Sequence, residues 1–464
     1  MYLWSWSVTG LLLVSIVYLI EGRRTHGGNA PVHTVLLSQS MKKAPQRVRR
    51  HKASEPVQAF AGAWIDLGHT LVTESQLERL QRHQAWAKQG RTYIVEPDAF
   101  IPLFNLKDSQ YVGPIGVGSK VDGKPQAEVN VVFDTGSTNL WISSALCDMD
   151  VCKNRNKFDP DQSSSFVTKV TPKLDITFGT GELRGPEGVD TFSVGPYKVL
   201  NQTFALIEEE IGSIFHQLEF EGILGLGFPS LAAEGHLPFF DNVMTQDVLH
   251  GRNEFSFYFT KLPIQASAVF FGGVDDRFYE GDIHMFPVVQ EHYWSLYLED
   301  FLIGNDSYAV VPQTAFRNAG KRVDKSIADT GTTYLTAPPG LADKILERLP
   351  GKPCSEIADY PNLTYKLVDQ AGAPFDLVLE PNVYMVSSTG SWCEPAFMEI
   401  PVPDKYGPAF LLGEVFMREW HTTFDRGDGS PGSAFVGFAR ARHDSQAINE
   451  LLRGRTKAGT VAGL

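Results

Sequence analysis

The stretch Val132-Phe133-Asp134-Thr135-Gly136-Ser137-Thr138-Asn139-Leu140-Trp141 sets the frame for the whole chain. An apolar run (Val129, Val131, Val132, Phe133) ends on an acid, and Thr-Gly-Ser follows at once. A carboxylate at the end of a core strand needs hydrogen bonds close by, because an unpaired buried charge is too costly. Thr135, the backbone N–H of Gly136 and Ser137 offer them within one tight turn, and glycine lets the backbone close without a Cβ in the way. The pattern returns in Ser326-Ile327-Ala328-Asp329-Thr330-Gly331-Thr332-Thr333-Tyr334-Leu335, with the two aspartates 195 positions apart. One Asp-Thr-Gly is a weak signal, since such turns cap many strands. Two copies, each after apolar residues and each followed by a hydroxyl residue, point to paired carboxylates on an internal repeat.

The segments around the two motifs repeat as well. Phe220-Glu-Gly-Ile-Leu-Gly-Leu-Gly227 follows the first and Phe410-Leu-Leu-Gly413 follows the second. Each half therefore reads as a strand with Asp-Thr-Gly and, later, an apolar strand ending in glycine. Gln110 to Gly118 alternates as a strand, and Ser119 to Glu128 is a polar loop. Leu174 to Gly185 (LDITFGTGELRG) is a strand, a Gly-Thr-Gly turn and a return strand, the pattern of a projecting β-hairpin. Its glycines do not make a dinucleotide loop, because the spacing is wrong and no amphipathic helix follows. Leu341 to Leu349 reads as a short amphipathic helix, and the polar tail after Arg442 reads as loose.

Length suggests two or three domains with a sizeable core, and composition suggests a strand-and-turn protein. The chain has 464 residues with 28 prolines and 42 glycines, which favours strands and turns over helices. A net charge of −13 speaks against nucleic acid as a partner. Tyr2 to Ile20 is an uncharged apolar run that reads as a signal peptide or an uncleaved signal anchor, assigned to residues 1–22. Either feeds the secretory pathway. The 4 cysteines, Cys147, Cys152, Cys354 and Cys393, are an even number suited to two local bridges in an oxidising lumen. No Cys-x-x-Cys exists and the 12 histidines lack ligand spacing, so no metal or other cofactor is expected. Sequons stand at Asn201, Asn305 and Asn362.

Residues 21–100 carry 12 Lys/Arg against 7 Asp/Glu, a net of +5, whereas residues 101–464 carry 29 against 47, a net of −18. Within the basic stretch, Val32 to Leu37 reads as a short strand and Arg47-Val-Arg-Arg50 as a cluster that is also a candidate processing site. Thr73-x-x-Gln76 opens a short helix through Leu77, Leu80 and Trp86. This basic segment reads either as a solvated arm or as a propeptide lying across an acidic body, held by ion pairs that weaken as carboxylates protonate. The expected division is an inhibitory propeptide over 23–99, an N-terminal lobe over 100–280, a C-terminal lobe over 281–442 and a flexible tail over 443–464.

Taken together, the two Asp-Thr-Gly motifs, Trp141, the hairpin and the two apolar-glycine segments closely resemble the pepsin-like aspartic proteases, over residues 100–440. Finer stretches are similar to the apicomplexan maturase group of plasmepsin IX and X type: Phe178-Gly-Thr-Gly, Gly272-Gly-Val-Asp-Asp-Arg-Phe-Tyr-Glu-Gly-Asp-Ile, Met285-Phe-Pro-Val-Val, Tyr360-Pro-Asn-Leu-Thr-Tyr and Pro395-Ala-Phe-Met-Glu-Ile. The resemblance implies a mostly β, bilobal fold with two pseudo-symmetric β-lobes around a central cleft, preceded by an α/β prosegment. It implies an aspartic endopeptidase, monomeric and made as a zymogen, that resides in an acidic secretory organelle of rhoptry, microneme or exoneme type or is secreted, and matures other secreted proteins before egress and invasion. Membrane attachment would arise only from an uncleaved N-terminal segment. The expected bridges are Cys147–Cys152 and Cys354–Cys393.

By the same resemblance, Asp134 and Asp329 are the catalytic pair. Two carboxylates held so close cannot both ionise easily, and the aspartic-protease dyad is itself the standard illustration of this effect. Thr135 and Thr330 would brace the turns from below, with Gly136 and Gly331 allowing close approach and Ser137 and Thr332 holding the outer carboxylate oxygens. Phe178, Gly179, Thr180 and Gly181 would form a flap over the cleft. Val132, Ile214, Phe220 and Ile223 would line an apolar pocket, although Phe220 and Ile223 read equally well as plain core. Most of the wider family has tyrosine where this chain has Phe178, so the indole N–H of Trp141 needs another partner. Ser119–Glu128 is longer than the usual turn, Ala328 replaces a valine and no third bridge precedes Asp329. A general digestive protease and a catalytically dead binding protein are the alternative readings.

Overall fold

The computed structural model describes residues 65–66, 71–72, 100–169, 173–178, 181–212, 215–216, 218–233, 236–315, 318–388 and 390–457. The apolar N-terminal run, the strand expected over Val32–Leu37, the Arg47–Arg50 cluster and the helix expected from Thr73 lie outside these residues. Before Phe100, only the antiparallel pair Ile65–Asp66 with Leu71–Val72 is described.

From Phe100 onward the chain is a β protein. Strand Phe100–Leu106 alternates half-buried and buried residues, turning Ile101, Leu103 and Asn105 inward, the period expected of a strand with one face on a core. It pairs with Ser267–Phe271, which pairs with Glu254–Tyr258. That strand pairs with Trp420–Asp425, then Phe435–Ala441 and finally Tyr279–Glu291. The result is one antiparallel sheet of six strands to which both halves of the chain contribute. The lobe boundary expected at 280/281 falls inside its last strand, Tyr279–Glu291.

Aromatic rings seal this platform. Phe255 and Phe424, from opposite halves, stack at 5.2 Å, and Trp294 meets Phe424 edge-on at 5.0 Å. Such pairs add packing energy beyond their buried area. Trp294 also donates its indole N–H to the Leu226 carbonyl at 3.0 Å, tying the second half to the first. Both expected disulfides are present, Cys147–Cys152 and Cys354–Cys393. The short helix read over Leu341 to Leu349 spans Leu341–Arg348 and buries Leu341, Ala342 and Ile345.

The tail departs from expectation. Instead of a loose segment, residues Ser445–Lys457 form an α-helix. Ala447 and Leu451 are buried beside Tyr258, Phe270 and Phe278, with Ile448 half-buried at the same patch. Asp444 supplies the N-cap, its Oδ1 accepting the Ala447 N–H at 2.8 Å. Three apolar residues on one helical face suffice to dock a helix when an apolar patch awaits them. That patch is invisible along the chain, which is why a polar composition misleads here.

Candidate active site

The two acidic turns stand on matching strand sets. Ala127–Asp134 runs parallel to Gly222–Gly225, with Gly225 opposite Asp134. Lys325–Ala328 runs parallel to Phe410–Leu412, and the Asp329 N–H donates to the Leu412 carbonyl at 3.1 Å. In each half a third strand closes antiparallel from the far side, Leu140–Ser143 in one and Leu335–Ala337 in the other. The two apolar-glycine segments are thus the inner strands beside the acidic turns. Glycine is needed at their ends, because a Cβ at Gly225 would run into the Thr138 backbone and one at Gly413 into the carbonyls of Thr332 and Tyr334.

At the turns, both carboxyls are buried and fully engaged. Asp134 is 0% exposed and Asp329 2%. The Gly136 N–H donates to Asp134 Oδ1 at 2.8 Å and the Ser137 hydroxyl to Oδ2 at 2.5 Å. The Gly331 N–H donates to Asp329 Oδ1 at 2.9 Å and the Thr332 hydroxyl to Oδ2 at 2.7 Å. Below them the turns interlock. The Thr135 N–H donates to Thr330 Oγ1, and the Thr330 N–H donates to Thr135 Oγ1, both at 3.0 Å. Each hydroxyl then donates across to the other strand, Thr135 to the Ala328 carbonyl at 3.0 Å and Thr330 to that of Phe133 at 2.6 Å.

This brace sets the carboxyls face to face. A Cβ at Gly136 would lie 2.5 Å from Asp329 Oδ1, and one at Gly331 would collide with Asp134 Oδ1. Each aspartate therefore rests against the other turn's glycine. Burial raises Asp134 well above the usual carboxylate range, and the facing Asp329 charge adds to it. Burial likewise pushes Asp329 up to about 6, against the hydrogen bonds from Thr332 and Gly331. The two buried carboxyls face each other closely, so they do not ionise together easily and the pair titrates as a unit.

A family model for the eukaryotic aspartyl proteases matches residues 110–439, which span both turns and their supporting strands. The chain belongs to that family. It is 43% identical over 356 residues to Aspartic protease 3 of Toxoplasma gondii, covering 74% of this chain and 52% of the relative. It is 34% identical over 409 residues to plasmepsin IX of Plasmodium falciparum, covering 75% of this chain and 63% of the relative. It is also 34% identical over 351 residues to pepsin A of Gallus gallus, covering 75% and 89%. The chain thus spans between half and two thirds of the length of the two apicomplexan relatives.

Around the Asp134–Asp329 pair, the structure gathers most of the residues expected on one side. The hairpin is formed by Leu174–Phe178 and Gly181–Gly185, closing on the pair Phe178 and Gly181, with Glu209–Ile211 as a third strand. Gly179, Thr180 and Ile214 lie outside the described residues. Val132, Trp141, Phe220 and Ile223 share one buried apolar cluster with Ile176 and Leu183 of the hairpin. The Trp141 ring lies 6.3 Å from that of Phe220. Val132 is two residues from Asp134, so this cluster adjoins the carboxyl pair on the hairpin side.

Four residues near the site escaped the sequence reading. Tyr293 is buried with Ile327, Tyr406 and Leu411 in an apolar cluster beside Asp329. Burial raises its phenol, with smaller contributions from Tyr406 and from both dyad carboxyls. Glu414 follows Gly413, is 2% exposed, and donates its N–H to the Thr332 carbonyl at 2.7 Å. Its Oε2 has no hydrogen-bond partner among the described residues. Burial holds its carboxyl well above the usual range; Arg418 opposes this, while Asp329 and Asp108 add to it. The Arg418 guanidinium in turn reaches Tyr111 Oη at 3.4 Å and Asp108 Oδ1 at 3.8 Å. Arg155, the fourth, lies beside the hairpin's third strand. A sequence signal existed for Glu414 alone: an acid follows Gly413 where Leu226 follows Gly225.

Proposed function

We propose that this chain is an active aspartic endopeptidase, made as a zymogen and working on other secreted proteins. The observation that carries the reading is the interlocked pair of intact Asp-Thr-Gly turns, which presents two buried carboxyls face to face. The ionised member takes a proton from a water held between them, and that water attacks the scissile carbonyl. The protonated member donates to the carbonyl oxygen and stabilises the charge it develops. No covalent enzyme intermediate is needed. The apolar cluster of Val132, Phe220 and Ile223 under the hairpin suits a large apolar residue before the scissile bond. The cluster around Tyr293 and Ile327 suits one after it.

The basic segment over residues 23–99 is the proposed inhibitor of the acidic body that follows it. The likeness to Aspartic protease 3 and plasmepsin IX favours a maturase in an acidic secretory organelle over a digestive enzyme. One experiment covers these points. Purified full-length protein is brought to acid pH, its new N-terminus is sequenced, and it digests a proteome-derived peptide library with and without a statine-type inhibitor. The expected products are a chain starting between Arg47 and Phe100 and inhibitor-sensitive cuts after large apolar residues. Full activity with Val32–Trp86 still covalently attached would overturn the zymogen reading. Uninhibited or random cleavage would overturn the mechanism.

The hairpin is the proposed flap. Phe178 has no hydroxyl, so closure rests on packing rather than on a tyrosine–tryptophan hydrogen bond, which would be worth about 1 kcal/mol net. Phe178→Tyr should change kcat/KM by less than about tenfold. Phe178→Ala should cost considerably more, by opening the lid and admitting water. Equal activity of the alanine variant and the parent on one peptide would remove the flap assignment.

A further inference from the structure

Beside the flap sheet sits an ion pair that the dyad chemistry does not use. Arg155 follows the Cys147–Cys152 loop, and its side chain is only 9% exposed, while that of Glu210 is 0% exposed. One guanidinium nitrogen donates to both oxygens of Glu210, at 2.9 and 3.0 Å, and another donates to the Phe215 carbonyl at 2.6 Å. Glu210 lies in the strand Glu209–Ile211, directly opposite Leu183 of the flap hairpin. Phe215 and Leu183 belong to the apolar cluster that also holds Val132, Phe220 and Ile223. One side chain thus joins the root of the flap to the segment over the outer wall of the pocket.

We propose that Arg155 is a specificity-positioning residue: by clasping Glu210 and the Phe215 carbonyl, it fixes the depth of the apolar pocket and so the preference for large apolar residues before the scissile bond. This rests on the pocket reading given under Proposed function. A buried ion pair is a poor way to gain stability, because desolvation offsets much of its attraction. A rigid clasp of defined direction is a better account of its place here. Arginine suits the task, since its planar fork engages two acceptors at once, which a lysine ammonium on a flexible stem does not reproduce. A pocket wall contacts the substrate side chain in the ground state and the transition state alike. Loosening it therefore removes uniform binding and raises KM more than it lowers kcat.

The test uses peptides identical except for Phe, Leu or Ala before the scissile bond, with the activated enzyme counted by inhibitor titration. For Arg155→Met, KM on the Phe peptide should rise about tenfold with kcat held within about threefold, and the Phe-over-Ala preference should fall at least fivefold. Arg155→Lys should fall between Met and the parent. The double variant Arg155→Met/Glu210→Gln removes the unpaired buried carboxylate, so it should regain thermal stability without regaining selectivity. If Arg155→Met does not fold, Arg155→Lys and the double variant decide. Unchanged preference in folded variants overturns the clasp. An Ile223→Ala arm separates the two levels: a shifted preference there with none in the Arg155 variants sinks the clasp alone. No shift in any variant sinks the pocket reading and the clasp with it.

Discussion

Asp134→Asn and Asp329→Asn should each lower kcat/KM by at least about a thousandfold, while the purified proteins unfold within a few degrees of the parent. The amide can accept the glycine N–H and meet the Ser137 or Thr332 hydroxyl, so the brace beneath the dyad survives. It can neither ionise to take the proton from water nor share a proton with its partner. Because the two carboxyls act as one unit, losing either should cost about as much as losing both, as for other catalytic groups that work together. Steady-state kinetics on a single peptide, alongside thermal melts, decides the point. More than a small fraction of residual activity in either variant would dissolve the pairing of Asp134 with Asp329.

Glu414 makes the second large effect one of stability against pH. Its carboxyl is raised well above the ordinary value by burial, and Asp134 and Asp329 are raised too, the latter to about 6. The folded state therefore holds protons that the unfolded chain releases above about 4. Stability from these groups is fully present below that pH and is lost as pH rises through the folded values. His421 acts in the opposite sense. Burial lowers it to about 3, so it stays neutral in the fold and costs stability as pH falls below the ordinary histidine value. Glu414→Gln replaces a neutral acid by a neutral amide of the same shape. It should leave the melting temperature at pH 4 almost unchanged and add on the order of 2 kcal/mol at pH 7, or a few degrees. Parallel melting curves for variant and parent across that range would show that Glu414 is not a buried proton holder. The comparison is best made on the Asp134→Asn background, which stops self-digestion.

What the sequence determined by itself is the local chemistry that repeats. Asp-Thr-Gly after an apolar run specifies a buried carboxyl with donors two and three residues on, and each bond in that turn closes within four residues. The hairpin, the inner apolar-glycine strands and the Cys147–Cys152 neighbours were legible for the same reason: their partners are near in sequence or their pattern occurs twice. Tertiary structure decided the rest. Whether Gly136 lies against Asp329, or Tyr293 beside the dyad, depends on two halves meeting through a sheet built from strands as far apart as Phe100–Leu106 and Phe435–Ala441. Glu414, Arg418 and Arg155 read as ordinary surface charges until the fold buries them, and the polar tail reads as loose until an apolar patch from Tyr258, Phe270 and Phe278 receives its helix. Burial is a property of the assembled surfaces, and it alone turns a charge into a proton holder or a clasp.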